Sequence, residues 1–146
     1  MRQSVCQRLG GGVALSWSIS HPSRLVLVLA RGDFQSADLM RLLSAIDSAK
    51  ASSYRKLIDI SQLTDSMAPT VLREFAGIVR HRERERTVGP IAIVAGSAGA
   101  SRLANRFADN ARGERLIEVF GDHPRARRWL NSFCAFEGDT RLETRT

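Results

Sequence analysis

Leu25-Val26-Leu27-Val28-Leu29 is an apolar run with no polar interruption, preceded by His21-Pro22-Ser23 and broken by Arg31-Gly32. It is too short for a buried helix. An unalternated apolar run of this length reads as a strand covered on both faces. Just upstream, Val13-Ala14-Leu15-Ser16-Trp17-Ser18-Ile19-Ser20 alternates large apolar with small or polar residues. A period of two buries one face of a strand and leaves the other to solvent. Pro22 cannot donate to a central ladder, so it belongs in the turn between the two strands. The pair predicts a hairpin, with 13–20 as the outer strand at a sheet edge and 25–30 as the inner one.

Working outward, the pattern changes period. Ser36 can cap a helix that carries Leu39, Leu42, Leu43, Ile46 and Ala49 on one face. Leu57-Ile58-Asp59-Ile60 is the next buried strand. A second helix is predicted from about Met67 to Arg84, with Val71, Leu72, Phe75, Ile78 and Val79 inward. Ile91 to Ala95 forms a strand, and a short helix follows around 101–110. Leu116 to Phe120 is the last strand. Asp122 or His123 caps the last helix, Pro124 sits in its first turn, and Ala126, Trp129, Leu130 and Phe133 face inward. Strands that alternate with helices form a parallel sheet through right-handed crossovers. The expected fold is therefore α/β: one domain, about five strands in a mixed sheet, and about four helices. Residues 1–12 read as a flexible lead-in, 13–133 as the domain and 134–146 as a polar C-terminal tail.

Composition agrees with one globular domain: 146 residues, 43% apolar and 25% charged. No apolar run approaches the roughly 18 residues of a membrane span, and the first residues lack the apolar core of a secretion signal. A cytoplasmic protein is expected. The net charge is +7, and nearly all of the 22 basic residues are arginines. They are spread along the chain. The densest run, Arg80-His81-Arg82-Glu83-Arg84-Glu85-Arg86, is interleaved with acids and carries no aromatic for base stacking. That predicts a solvated helix end and no specific nucleic-acid partner. Cys6 and Cys134 form no C-x-x-C pair. His21, His81 and His123 never fall at i, i+4. Neither a metal site nor a cofactor is expected, and no serine-histidine-acid set occupies recognisable motif positions.

The order of elements resembles STAS domains, the class that includes anti-sigma-factor antagonists of the SpoIIAA kind. Two stretches carry the resemblance. Leu57-Ile58-Asp59-Ile60-Ser61-Gln62-Leu63-Thr64-Asp65-Ser66 is similar to the family's strand and loop, where an Asp-Ser pair opens the next helix. The set Ile91–Ala95, Ile117-Glu118-Val119-Phe120 and Ala126-Arg127-Arg128-Trp129-Leu130 resembles the SpoIIAA-like branch called STAS/SEC14. The resemblance spans about residues 13–133 and implies a bacterial regulatory module. In the antagonist branch a partner kinase phosphorylates the serine that matches Ser66. This chain departs from that pattern: its loop after Ile60 is shorter, and Met67-Ala68-Pro69 replaces a Ser-Gly-Leu run.

Asp65 and Ser66 are thus a candidate phospho-acceptor or interaction loop. Ser66 also has a plain structural role, as the cap of the following helix. A phosphate there would sit at a helix N-terminus, where the dipole favours an anion. Gly96-Ser97-Ala98-Gly99-Ala100-Ser101 follows a strand and precedes a helix, so Gly96, Ser97, Gly99 and Ser101 form a candidate anion-binding turn. It lacks the P-loop lysine and the dinucleotide fingerprint, and an ordinary strand-to-helix turn is the competing reading. Asp59 lies in an apolar strand and can accept backbone N–H bonds from the loop that follows, or reach a cleft.

Two functions from different classes follow. The first is a non-enzymatic regulatory or protein-interaction module with a kinase or anti-sigma-like partner. The alternative is a SEC14-like domain for a lipid or small hydrophobic ligand. An enzyme built on Asp59 and the 96–101 turn is a third reading. A homodimer through the 13–20 edge is a further expectation.

Overall fold

The computed structural model describes residues 2–9, 12–31, 36–63, 69–85, 88–111 and 116–142. They form β1 (Arg2–Leu9), β2 (Gly12–Ser20), β3 (Leu25–Arg31), α1 (Ser36–Ser48), β4 (Arg55–Gln62), α2 (Pro69–Glu85), β5 (Ile91–Val94), α3 (Ala98–Ala111), β6 (Ile117–Phe120) and α4 (His123–Leu142). The strands lie in sequential order in one sheet. β1, β2 and β3 pair antiparallel, and β3 through β6 pair parallel.

The α/β architecture is the expected one, with three differences at its margins. Residues 2–9 are a strand rather than a lead-in, so the sheet has six strands. β2 is therefore not an edge: β1 covers it, with Val5 opposite Trp17 and Leu9 opposite Gly12. The last helix continues to Leu142 where a tail was expected from residue 134. The physical reason is the same at both ends. Backbone pairing and helix propagation need no strong apolar pattern once an adjacent element is in place.

Because the parallel strands advance in one direction across the sheet, their right-handed crossovers put α1, α2 and α3 on the same face. There Leu15, Trp17, Ile19, Val26 and Val28 meet Leu42 and Ile46 of α1, Leu72 and Val79 of α2, and Leu103 of α3. The small residues Ala100, Ala104, Ala108 and Ala111 bring α3 close to the sheet and α2. The opposite face is covered by α4, whose Ala126 and Leu130 lie on Leu57, Ala92 and Val94. α4 reaches mainly β4, β5 and β6. Leu25, Leu27 and Leu29 are consequently only half-buried, not sealed on both sides as their unbroken apolar run implies.

Two cations at the head of β4 are buried. The Arg55 guanidinium donates to the Ser23 carbonyl at 2.6 Å and, at 3.3 Å each, to the Leu130 carbonyl and the Asn131 side chain. It ties the β2–β3 turn to α4. Lys56 faces the other side of the sheet, and its ammonium donates to the Ser52 and Tyr54 carbonyls at 2.7 and 2.8 Å.

α1 ends in a left-handed cap. The Ala51 N–H donates to the Ile46 carbonyl and the Lys50 N–H to the Asp47 carbonyl, while Lys50 has φ 57°. This is the Schellman arrangement, in which glycine usually holds the left-handed position. Lys50→Gly is expected to raise stability by up to about 1 kcal/mol by removing the Cβ strain. Urea unfolding of the two proteins checks it.

Candidate functional site

The carboxyl ends of β4, β5 and β6 bring together several residues singled out in the sequence. Asp59 is near the end of β4. One carboxylate oxygen accepts the Ser61 N–H at 2.9 Å, and the other pairs with His123 Nε2 at 2.8 Å. An ionised carboxylate only accepts, so the His123 Nε2 carries the proton in this contact. His123 opens α4 but does not cap it. That role falls to Asp122, whose carboxylate accepts the Arg125 N–H at 2.9 Å.

The Gly96–Ser101 turn lies beside this pair. The Ser61 hydroxyl accepts the Gly96 N–H at 3.0 Å. The Ser97 hydroxyl accepts the Ala100 N–H at 3.1 Å, and the Ser97 carbonyl accepts the Ser101 N–H at 2.8 Å. Gly99 and Ser101 are part of the first turn of α3. The Gly96, Ala100 and Ser101 amides of this turn are thus all bound within the chain. Asp65 and Ser66 lie outside the described residues.

Burial raises the Asp59 pKa. The Ser61 N–H, the His123 ring and the Ser61 hydroxyl act in the opposite direction and together hold it below the ordinary aspartate value. A depressed folded-state pKa stabilises the fold above the unfolded pKa of about 3.9, and that contribution disappears as pH falls through the lower folded value. Wild type should therefore lose more stability below about pH 4 than Asp59→Asn does. Urea midpoints measured from neutral to strongly acid pH test this.

The other concave feature lies where the apolar stripes of the first two helices, around 39–46 and 71–79, offer a pocket lining for a small hydrophobic ligand. An almost wholly apolar, partly open cavity of about 130 Å³ lies between the sheet and the helices that cover it. Leu42 and Ile46 of α1, Leu72 and Phe75 of α2, and Ile58 and Ile93 of the sheet contribute to its wall. α2 packs closely on α3, and α1 rests on β2. Arg82 of α2 makes two hydrogen bonds to Asp47 of α1, at 2.6 and 3.0 Å.

The helix periodicity announced which residues face inward, and Leu42, Ile46, Leu72 and Phe75 are among those it named. It did not show that these inward faces leave a cavity between the helices and the sheet. Nor did it flag Lys56 or Arg82. The signal available for Lys56 was a charged pair, Arg55-Lys56, directly abutting an apolar strand.

Among the described residues no group of histidine, cysteine and acidic side chains could hold a metal, and no helix is long and apolar enough to cross a membrane. The fold and the cavity define a mixed-sheet α/β protein with an apolar pocket beneath its helices. Comparison with protein-family models, curated proteins and solved structures returned no match.

Proposed function

We propose that this protein is a non-enzymatic binding module for a small apolar molecule, held between the sheet and the α1–α2 pair. The observation that carries the proposal is the cavity of about 130 Å³. Close-packed interiors contain few voids larger than a water molecule. An apolar cavity of about 150 Å³ in another protein stays dry and takes up benzene. The volume here suits a molecule of that size rather than a whole lipid. The resemblance of Ile91–Ala95, Ile117–Phe120 and Ala126–Leu130 to the STAS/SEC14 branch favours the same choice. The rival interaction module depends on Asp65 and Ser66, so the cavity and not that loop carries the proposal.

The test is the thermal midpoint in the presence of toluene. A ligand that binds only the folded state raises the midpoint in a concentration-dependent way. Wild type should show that rise. Ala30→Leu, which adds carbon atoms to the cavity wall, should abolish it while remaining folded by circular dichroism. No response in wild type, or an equal response in Ala30→Leu, would remove the proposal.

A further inference from the structure

Two cationic side chains, Lys56 and Arg82, contribute to the wall of the otherwise apolar cavity. Their charged ends are engaged elsewhere. The Lys56 ammonium donates to the Ser52 and Tyr54 carbonyls. The Arg82 guanidinium is bound by both oxygens of Asp47. The Arg82 side chain is 12% exposed and Asp47 is 40% exposed, so the cation is the inner member of the pair.

This arrangement decides what the cavity can accept. A guanidinium offers a planar fork that matches a carboxylate. A free Arg82 in the wall would therefore recruit small acids with an apolar body. Asp47 already fills that fork. It is attached to α1, so it competes intramolecularly at high effective concentration. An acidic ligand would have to expel Asp47, draw the Lys56 ammonium away from the Ser52 and Tyr54 carbonyls, or leave its own charge unpaired in an apolar space, and each is unfavourable. An uncharged ligand meets neither obstacle.

We propose, building on the reading of the cavity as a ligand site, that its occupant is an uncharged hydrocarbon or single-ring aromatic. Asp47 is then a specificity-determining residue. It excludes acids by keeping Arg82 occupied, although it need not touch the ligand.

Toluene and benzoate are a matched pair of probes, because they share the ring and differ in charge. In wild type, toluene should bind about a hundredfold more tightly than benzoate, measured by calorimetry or thermal shift. In Asp47→Ala, benzoate should gain about tenfold or more, while toluene stays within about threefold. Alanine is a good helix former, and Asp47→Asn provides a second variant that removes the charge and keeps the size. Adding Arg82→Met to Asp47→Ala should cancel the benzoate gain.

Equal binding of toluene and benzoate by wild type would overturn the inference. So would benzoate binding that is unmoved in both Asp47 variants. Either result leaves the cavity reading standing, because toluene still binds. If neither probe binds wild type, the cavity reading fails and this inference falls with it.

Discussion

Gly89→Ala is expected to destabilise the protein by about 3 kcal/mol, enough to leave a marginal domain partly unfolded at ambient temperature. Gly89 is buried, and its N–H donates to the Ser52 carbonyl at 3.1 Å. A Cβ added there would fall on the Tyr54 carbonyl and within 2.5 Å of the Ser53 carbonyl. Both obstacles are backbone, so no side-chain rotation relieves the clash. Relief would require moving the 52–54 turn away from the strand that follows Gly89. The same turn supplies the carbonyls that hold Lys56, and the Lys56 N–H donates to the Pro90 carbonyl at 2.9 Å. The damage would therefore spread to the pairing of β4 with β5. Gly77 supplies the control. It is exposed in the middle of α2, and nothing lies within 4 Å of an added Cβ. Gly77→Ala should stabilise by about 0.5–1 kcal/mol, because alanine is the better helix former. Chemical denaturation of the two variants should give shifts of opposite sign. A Gly89→Ala protein as stable as wild type would mean that the 52–54 turn is not held where it is described.

The second large effect is expected at Ile46, which is 2% exposed and forms part of the cavity wall. Ile46→Ala removes buried carbon atoms next to space that is already empty. Truncations of this kind cost about 2–5 kcal/mol, and the cost grows with the cavity left behind. Ile46 also precedes the left-handed cap of α1, where its carbonyl accepts the Ala51 N–H and Ala51 is fully buried. Loosening this side chain would therefore affect the end of α1 as well as its face. The enlarged cavity has a functional consequence. If it is the binding site, a saturating apolar ligand should restore more stability to Ile46→Ala than it adds to wild type, because it refills lost contacts. Thermal midpoints with and without toluene give both numbers in one experiment. A variant as stable as wild type, or one indifferent to toluene, would contradict the geometry.

These effects locate what was legible in the residues and what was not. Elements with strong periodicity were readable: β2 from its alternation, α1 and α2 from their helical stripes, and β4 and β5 from short apolar runs. β1 was not. Arg2 to Leu9 has neither alternation nor a continuous apolar run, and the only local hint was Gly10-Gly11 between it and β2. A strand of this kind is specified by the partner it pairs with more than by its own pattern. At the candidate site, the sequence placed Asp59, Ser97 and His123 at the ends of their elements. The hydrogen bond between Asp59 and His123 joins positions far apart in the chain and depends on β4 and the start of α4 lying side by side.

By itself, then, the amino-acid order determined the class of fold and the inward faces of α1, α2 and α4, because period and turn chemistry are local properties of the chain. Tertiary structure alone decided three things. α1, α2 and α3 share one face of the sheet, α1 and α2 line a cavity with it, and Asp47 of α1 meets Arg82 of α2. Each is set by how rigid elements settle against one another. A difference in helix spacing of a few ångströms separates a closed core from a pocket, and the hydrophobic pattern is the same for both.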